Sequence, residues 1–204
     1  DVVFGESQDC FDIGIINTCG FIGNADNDSS ALLRKYAMLK KQGLINELWV
    51  MGCYSEKRGE SIRIDIPEVD RIYGNFNWNE ILKVLDAGSH VTHERTLTTP
   101  SHYAYLKISE GCNSPCSYCI KPVINGPLTS YDMKDLVTEV QYLAGNGVKE
   151  IQLVAQNLTA YGQDIYGQKR IAELVNRIAD VKGIEWIRLH YAYPIGFPVE
   201  LLDT

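Results

Sequence analysis

The sequence predicts an α/β protein in two parts: an open parallel-sheet α/β domain, followed by the first part of a (β/α) barrel. Three observations predict it. Short apolar runs alternate with stretches of helical periodicity, an order that produces parallel sheets with helices on their faces. Cysteines recur just past the ends of those runs, at Cys19, Cys53 and Cys112, the sheet edge where α/β proteins bind ligands. Residues 92–102 are polar, contain Pro100 and lack periodicity, so they read as a linker between a domain at 1–91 and another at 103–204.

The elements follow in order. Residues 13–17 form a short apolar strand. Residues 26–41 are helical, with Asp26 or Asn27 as N-cap and Gly43 as the stop. A second strand spans 47–51 and runs into Gly52-Cys53. A short helix is expected around 55–64, a third strand at 69–73 and a helix at 78–85. Beyond the linker, residues 103–109 alternate as a strand. Met133, Leu136, Val137, Val140 and Leu143 then repeat at helical spacing within 131–143, with Gly145 or Gly147 as the cap. A strand at 150–155, a helix at 170–181 and a strand at 185–191 complete the pattern. Three such strands are too few to close a barrel. A chain that opens on Asp1 and stops at Thr204 is expected to be part of a longer protein.

Composition narrows the function classes. Hydrophobic residues make up 45% and charged residues 22% of the 204, ordinary for a globular protein with a real core. No apolar run approaches the roughly 20 residues needed to span a bilayer, so no membrane partner is expected. A net charge of −7 argues against a broad nucleic-acid-binding face. Six cysteines without a secretory signal place the chain in a reducing, cytoplasmic compartment.

Cys112, Cys116 and Cys119 spell Cys-x-x-x-Cys-x-x-Cys directly after the strand at 103–109. Structural zinc takes four ligands in a closed tetrahedron, and ordinary ferredoxin clusters take four cysteines. Three thiolates on one loop can hold three irons of a cubane 4Fe-4S cluster and leave the fourth open to a ligand. The alternatives are a zinc knuckle that borrows His102 or His93, and a disulfide loop. The triplet lies at the carboxyl end of a strand that feeds a βα unit, where barrel enzymes place their chemistry. The ring of Tyr118 either stacks on a flat cofactor or packs the loop. Cys19 and Cys53 are metal ligands or buried core thiols, and their equivalent positions at two strand ends favour ligation.

Cys-x-x-x-Cys-x-aromatic-Cys after a strand resembles the radical S-adenosylmethionine superfamily. The resemblance implies that the open iron binds the amino and carboxylate groups of S-adenosylmethionine, whose reductive cleavage gives a radical that takes hydrogen from unreactive carbon. With Cys19 and Cys53 included, the pattern resembles the methylthiotransferases, over nearly all of the chain. That implies a second, auxiliary 4Fe-4S cluster, to which Cys19 and Cys53 supply two ligands. The third would lie in an upstream Leu-Gly-Cys motif that this chain lacks, and Cys10 does not match it. The resemblance makes Tyr118 the candidate contact for the cofactor's adenine and names no separate catalytic residue.

Asn17-Thr-Cys-Gly-Phe-Ile22, Tyr161-Gly-Gln-Asp-Ile-Tyr166 and the stretch from Trp186 to Pro194 look like the branch that modifies a ribosomal protein. There the expected substrate is the β-carbon of an aspartate in small-subunit ribosomal protein twelve, and the expected reductant is a flavodoxin or ferredoxin. Gln156-Asn157 leans towards the branch that modifies tRNA. A non-catalytic metal-binding fragment is the alternative from another class. Tyr131 departs from the family, standing where both branches usually carry arginine. Arg188, His190 and Gln156 have no assigned role.

Overall fold

The structure is a computed structural model that describes residues 10–20, 23–75, 77–85, 95, 97–194 and 197–203. The chain divides into two compact units, Asp1–Ser89 and His90–Thr204.

In the first unit, β1 (Phe11–Thr18) leads through α1 (Gly23–Lys41) to β2 (Ile45–Gly52). Then come α2 (Cys53–Arg58), α3 (Ser61–Asp65), β3 (Arg71–Ile72) and α4 (Trp78–Val84). The strands form a parallel sheet of order β1-β2-β3. Central β2 is apolar without alternation because both its faces are buried. Leu48 and Val50 pack with Leu33, Tyr36 and Ala37 of α1, whereas Trp49 and Met51 pack with Tyr73 and Ile81. Each such side chain contributes about 1.5–3 kcal/mol on burial.

The strands β1 and β2 outrun their expected spans because parallel pairing extends from Phe11–Ile45 to Thr18–Gly52. The helix expected at 55–64 is two helices, broken where Gly59 takes φ 52°. Asp26 and Asn27 are not N-caps, since α1 already begins at Gly23. Asp26 instead pairs with Lys57 of α2 at 2.7 Å.

The second unit runs β4 (Tyr103–Lys107), β5 (Ser109–Glu110), α5 (Lys121–Asn125), β6 (Thr129–Ser130), α6 (Met133–Gly145), β7 (Glu150–Val154), α7 (Ile171–Ala179) and β8 (Trp186–Leu189). Its main sheet is parallel, of order β4-β7-β8, and β5 pairs antiparallel with β6. The expected strand at 103–109 is thus two pieces, because Ser109 and Glu110 leave β7 to pair with Ser130 and Thr129. That pairing, continued by the Tyr131 N–H on the Ile108 carbonyl at 3.0 Å, also keeps residue 131 out of the helix. Asp132 caps α6 instead, accepting from the Lys134 N–H. Gly145 is its last helical residue, and Gly147, at φ 93°, makes the left-handed stop.

One face of this sheet is the core. Leu106, Ile151 and Leu153 pack against Leu136, Val140 and Leu143 of α6 and Leu174 and Ile178 of α7. The opposite face presents Tyr105, Lys107, Gln152, Val154 and Arg188, all exposed or half-exposed, and no helix among the described residues covers it. Arg188 and Gln152 share that face because alternate residues of a strand point the same way, and His190 just past β8 joins them.

Candidate metal and cofactor sites

The cysteine triplet lies on the loop leaving β5. Gly111 has φ 63°, and a Cβ there would meet the Pro127 carbonyl oxygen at 2.0 Å, so only glycine lets the loop turn against that backbone. The Cys112 N–H donates to the Gly126 carbonyl (3.1 Å) and the Cys119 N–H to the Cys116 carbonyl (3.0 Å), which fixes both ends of the triplet. The Ser114 N–H points at the Cys112 sulfur, 3.4 Å away. Such N–H···S contacts are among the means by which a protein tunes cluster potential. All three thiols are free and partly exposed. Cys112 and Cys116 line a hollow of about 420 Å³ with Pro115, Pro122 and Gly126, and Cys119 is not part of that lining. Tyr118 is 90% exposed, so its ring does not pack the loop.

Among the described residues no histidine stands beside the triplet as a fourth zinc ligand. His102 precedes β4, at the opposite end of the strand from the loop, and His93 lies outside the described residues. Among the described residues no three His, Cys, Asp or Glu side chains converge on one metal-ion position. This includes the triplet, whose thiols are not drawn onto one point, and soft thiols suit zinc as well as an iron–sulfur cluster.

Three buried polar atoms without partners lie where β5 and β7 run into their loops, and a fourth among the described residues is Asp26 Oδ1 of the first unit. The Ser109 Oγ, the Glu110 Oε2 and the Gln156 Oε1 are buried and make no hydrogen bond. Such atoms cost free energy unless a ligand or water completes them. The Glu110 Oε1 pairs with Lys107 and accepts from the Tyr131 hydroxyl at 3.1 Å. Burial first, and then the Glu110 charge, raise the Tyr131 phenol well above its ordinary value. The β7–α7 loop clasps the same region: Asn157 Nδ2 donates to Ser114 Oγ (3.2 Å), and Asp164 accepts from the Ser130 N–H and hydroxyl at 2.7 and 2.6 Å. Burial opposes ionisation of Asp164, yet the Ser130 bonds hold its carboxyl below the usual range. Nothing local in the sequence announces Ser130, Asp164 or Ser114, because each acts through a partner more than thirty residues away.

In the first unit, β1 and β2 bring Cys19 and Cys53 to one sheet edge. Thr18 and Gly52 are register partners, each one residue before its cysteine. Gly52, at φ 104°, passes so close to β1 that a Cβ would meet the Thr18 carbonyl oxygen at 2.3 Å. Gly20 lies against Tyr54, where a Cβ would fall 2.7 Å from its Cα. The Ser29 hydroxyl holds the Cys19 backbone from both sides, accepting from its N–H (3.1 Å) and donating to its carbonyl (2.7 Å). Cys19 is exposed and Cys53 half-buried, so neither is a core thiol. Cys10 precedes β1 at the other end of the sheet, roughly 25–30 Å from Cys19 at about 3.3 Å per residue.

Comparison with known proteins falls in line with this geometry. Two structures of TsrM from Kitasatospora setae, described as a radical S-adenosylmethionine methyltransferase, share the fold. One, with cobalamin and a [4Fe-4S] cluster bound, matches with a TM-score of 0.59 at 12% identity over 94% of this chain and 46% of TsrM. The other, with tryptophan and a cofactor analogue, gives 0.58 at 11% identity over 87% and 42%. The shared fold is an open α/β domain and the first part of a (β/α) barrel. Residues 3–74 match the model of the family described as Uncharacterized protein family UPF0004.

The chain is 49% identical over 203 residues to ribosomal protein uS12 methylthiotransferase RimO of Bacteroides fragilis, covering 98% of this chain and 47% of that protein. The RimO proteins of Phocaeicola vulgatus and Porphyromonas gingivalis are each 51% identical, over 93% and 96% of the chain and 44% and 45% of their own lengths. The chain is thus similar over nearly its whole length to curated methylthiotransferases of the RimO kind, and it spans about half the length of the curated relatives it matches.

Proposed function

We propose that this chain forms the front half of a radical S-adenosylmethionine methylthiotransferase acting on ribosomal protein uS12, with the β-carbon of an aspartate as target. The observation that carries the reading is the triplet itself: three free, partly exposed thiols on the loop that leaves the carboxyl edge of a parallel sheet. Cys112, Cys116 and Cys119 hold the radical-generating cluster, and Cys19 and Cys53 supply two ligands of the auxiliary one. When bound, the first cluster and S-adenosylmethionine supply a radical able to take hydrogen from unactivated carbon.

The protein's own part is positioning. Ser109, Glu110 and Gln156 offer acceptor oxygens that suit the ammonium and hydroxyl groups of S-adenosylmethionine. Tyr118 offers an exposed ring to the adenine. The Ser130–Asp164 and Ser114–Asn157 bonds hold the two loops that frame the site. A flavodoxin or ferredoxin would serve as reductant, in the cytoplasm. No helix among the described residues is long and apolar enough to cross a membrane.

Asn157, the residue that leans towards the tRNA branch, binds Ser114 of the cysteine loop. An aspartate could accept from the same hydroxyl, so this contact favours neither branch. Anaerobic reconstitution of the full-length protein, followed by mass spectrometry of uS12 and of tRNA, tests the reading. One methylthio group is expected on uS12 and none on tRNA. Modified tRNA with unmodified uS12 would overturn it.

A further inference from the structure

A second cavity opens on the uncovered face of the β4-β7-β8 sheet, at the carboxyl ends of the three strands. It measures about 460 Å³ and is lined by Arg95, Tyr105, Lys107, Val154, His190 and Tyr191. That volume is in the range of small-ligand pockets. Its lining carries two permanent cations, an imidazole and two phenol rings, and no carboxylate.

The cations are held from behind. Glu139 pairs with Arg95 at 3.2 Å, and the guanidinium also donates to the Tyr105 carbonyl. Glu110 pairs with Lys107. Both basic side chains stay open to solvent, Arg95 36% and Lys107 51% exposed. The imidazole is oriented by a chain of hydrogen bonds. Arg188 Nε donates to Glu150 Oε1 (2.8 Å), as does Gln152 Nε2 (2.9 Å), which turns Gln152 Oε1 towards His190 Nε2 at 3.1 Å. Tyr105 and Tyr191 flank the imidazole, ring centres 6.3 and 6.2 Å away.

Tyr191 is the one non-glycine residue with positive φ among those described, at 62°. A left-handed backbone costs a residue of this kind about 1–2 kcal/mol, and such strain persists where a site needs the side chain aimed. Its carbonyl accepts from the Leu158 N–H (3.3 Å), and Lys121 Nζ sits 5.6 Å from its ring centre. Lys121 follows Cys119 by two residues, and Glu110 precedes Cys112 by two. Both walls of the cavity are therefore tied to the cysteine loop.

We propose that this cavity takes the carboxylate side chain of the protein substrate, with Arg95, Lys107 and His190 as the residues that set specificity for an acidic target. The inference rests on the proposed uS12 reading and adds the residues that read the side chain. A carboxylate could also come from the methionine part of S-adenosylmethionine. The unsatisfied oxygens of Ser109, Glu110 and Gln156 are acceptors suited to the cofactor's ammonium, whereas the cavity presents the donors of Arg95 and Lys107, each backed by a glutamate, that suit an anion. The substrate side chain is the occupant.

The test uses the full-length protein, cluster-free and reconstituted. Recombinant uS12, and uS12 with the target aspartate replaced by asparagine, are titrated by calorimetry alongside S-adenosylmethionine. The wild type is expected to bind the acidic form at least about tenfold tighter, since charge-assisted hydrogen bonds outweigh neutral ones. Arg95→Gln should bring the two forms within about twofold, at unchanged iron content and cofactor affinity, and Lys107→Arg, which keeps the charge paired with Glu110, should keep the discrimination. Equal binding of the two uS12 forms by the wild type would overturn the inference alone. So would variants that weaken S-adenosylmethionine and leave uS12 untouched. Failure of uS12 to bind in any form would overturn the uS12 reading along with it.

Discussion

The two cysteine-bearing edges are built in opposite ways. Cys112, Cys116 and Cys119 sit on a single loop, and their placement depends on local backbone: Gly111 against Pro127, and the Cys119 N–H on the Cys116 carbonyl. Cys19 and Cys53 arrive on two strands, and they share an edge only because β1 and β2 pair in the register that sets Thr18 beside Gly52. The first edge is a property of a motif and the second a property of a folded sheet. Damage should therefore spread differently from each.

The largest effects separate the two edges chemically. Cys112→Ser should abolish S-adenosylmethionine cleavage and lower the iron of the reconstituted full-length protein from about eight atoms to about four. Cys53→Ser should lower iron by a similar amount and stop methylthiolation, while cofactor cleavage continues. Iron analysis with quantification of 5′-deoxyadenosine reads both. If Cys53→Ser also stopped cleavage, the division of labour between the two edges would be wrong.

Glycine substitutions compare the same edges through their backbones. Gly52→Ala and Gly111→Ala each force an alanine into the left-handed region, costing about 1–2 kcal/mol, and add a collision with backbone oxygen at 2.3 and 2.0 Å. Gly147→Ala has similar φ but meets nothing within 4 Å, so it should cost only the conformational part. Chemical denaturation should rank Gly147→Ala well below the other two. Gly52→Ala should also disturb iron loading at the auxiliary site, because it pushes β2 from β1 beside both cysteines.

This contrast also explains what could be read from the sequence. The triplet, the alternation of elements and the positions of Cys19 and Cys53 at strand ends were legible because each is local or periodic. The peeling of Ser109 and Glu110 from β4 onto β6 was not, since an apolar run does not reveal which neighbour it pairs with. The grip of Asp164 on Ser130 and the ladder from Glu150 to His190 were equally hidden, being contacts of 34 and 38 residues' separation. The placement of Arg188 and His190 on the open face needed the sheet order, which puts β7 between β4 and β8.

A smaller effect concerns acid. Asp164 has its carboxyl held below the usual range by Ser130. Its contribution is therefore fully present above the ordinary aspartate value, near 3.9, and is lost as pH falls through the lower folded value. Asp164→Asn should cost about 1 kcal/mol at neutral pH, kept modest by the exposure of the carboxylate. The gap between wild type and variant should close below about pH 4. Urea titrations at pH 7 and pH 3.5 read the difference, and a gap that widened in acid would contradict the assignment.

The smallest effect sits near the triplet, at Tyr131, where this chain departs from the methylthiotransferase pattern it resembles. Tyr131 reaches Glu110 with a neutral hydroxyl, while Lys107 already supplies the positive charge. Tyr131→Phe removes one partly exposed hydrogen bond and should cost about 0.5–1 kcal/mol. Tyr131→Arg replaces that bond with a charged donor on a carboxylate that already has a cation, so it should stabilise little, within about 0.5 kcal/mol. If Lys107 does the work that arginine does elsewhere in the family, Lys107→Gln should become tolerable only when Tyr131→Arg accompanies it. A double-mutant cycle on thermal stability measures that coupling. Strict additivity would mean that Tyr131 and Lys107 hold Glu110 independently, and that the lost arginine had some other partner.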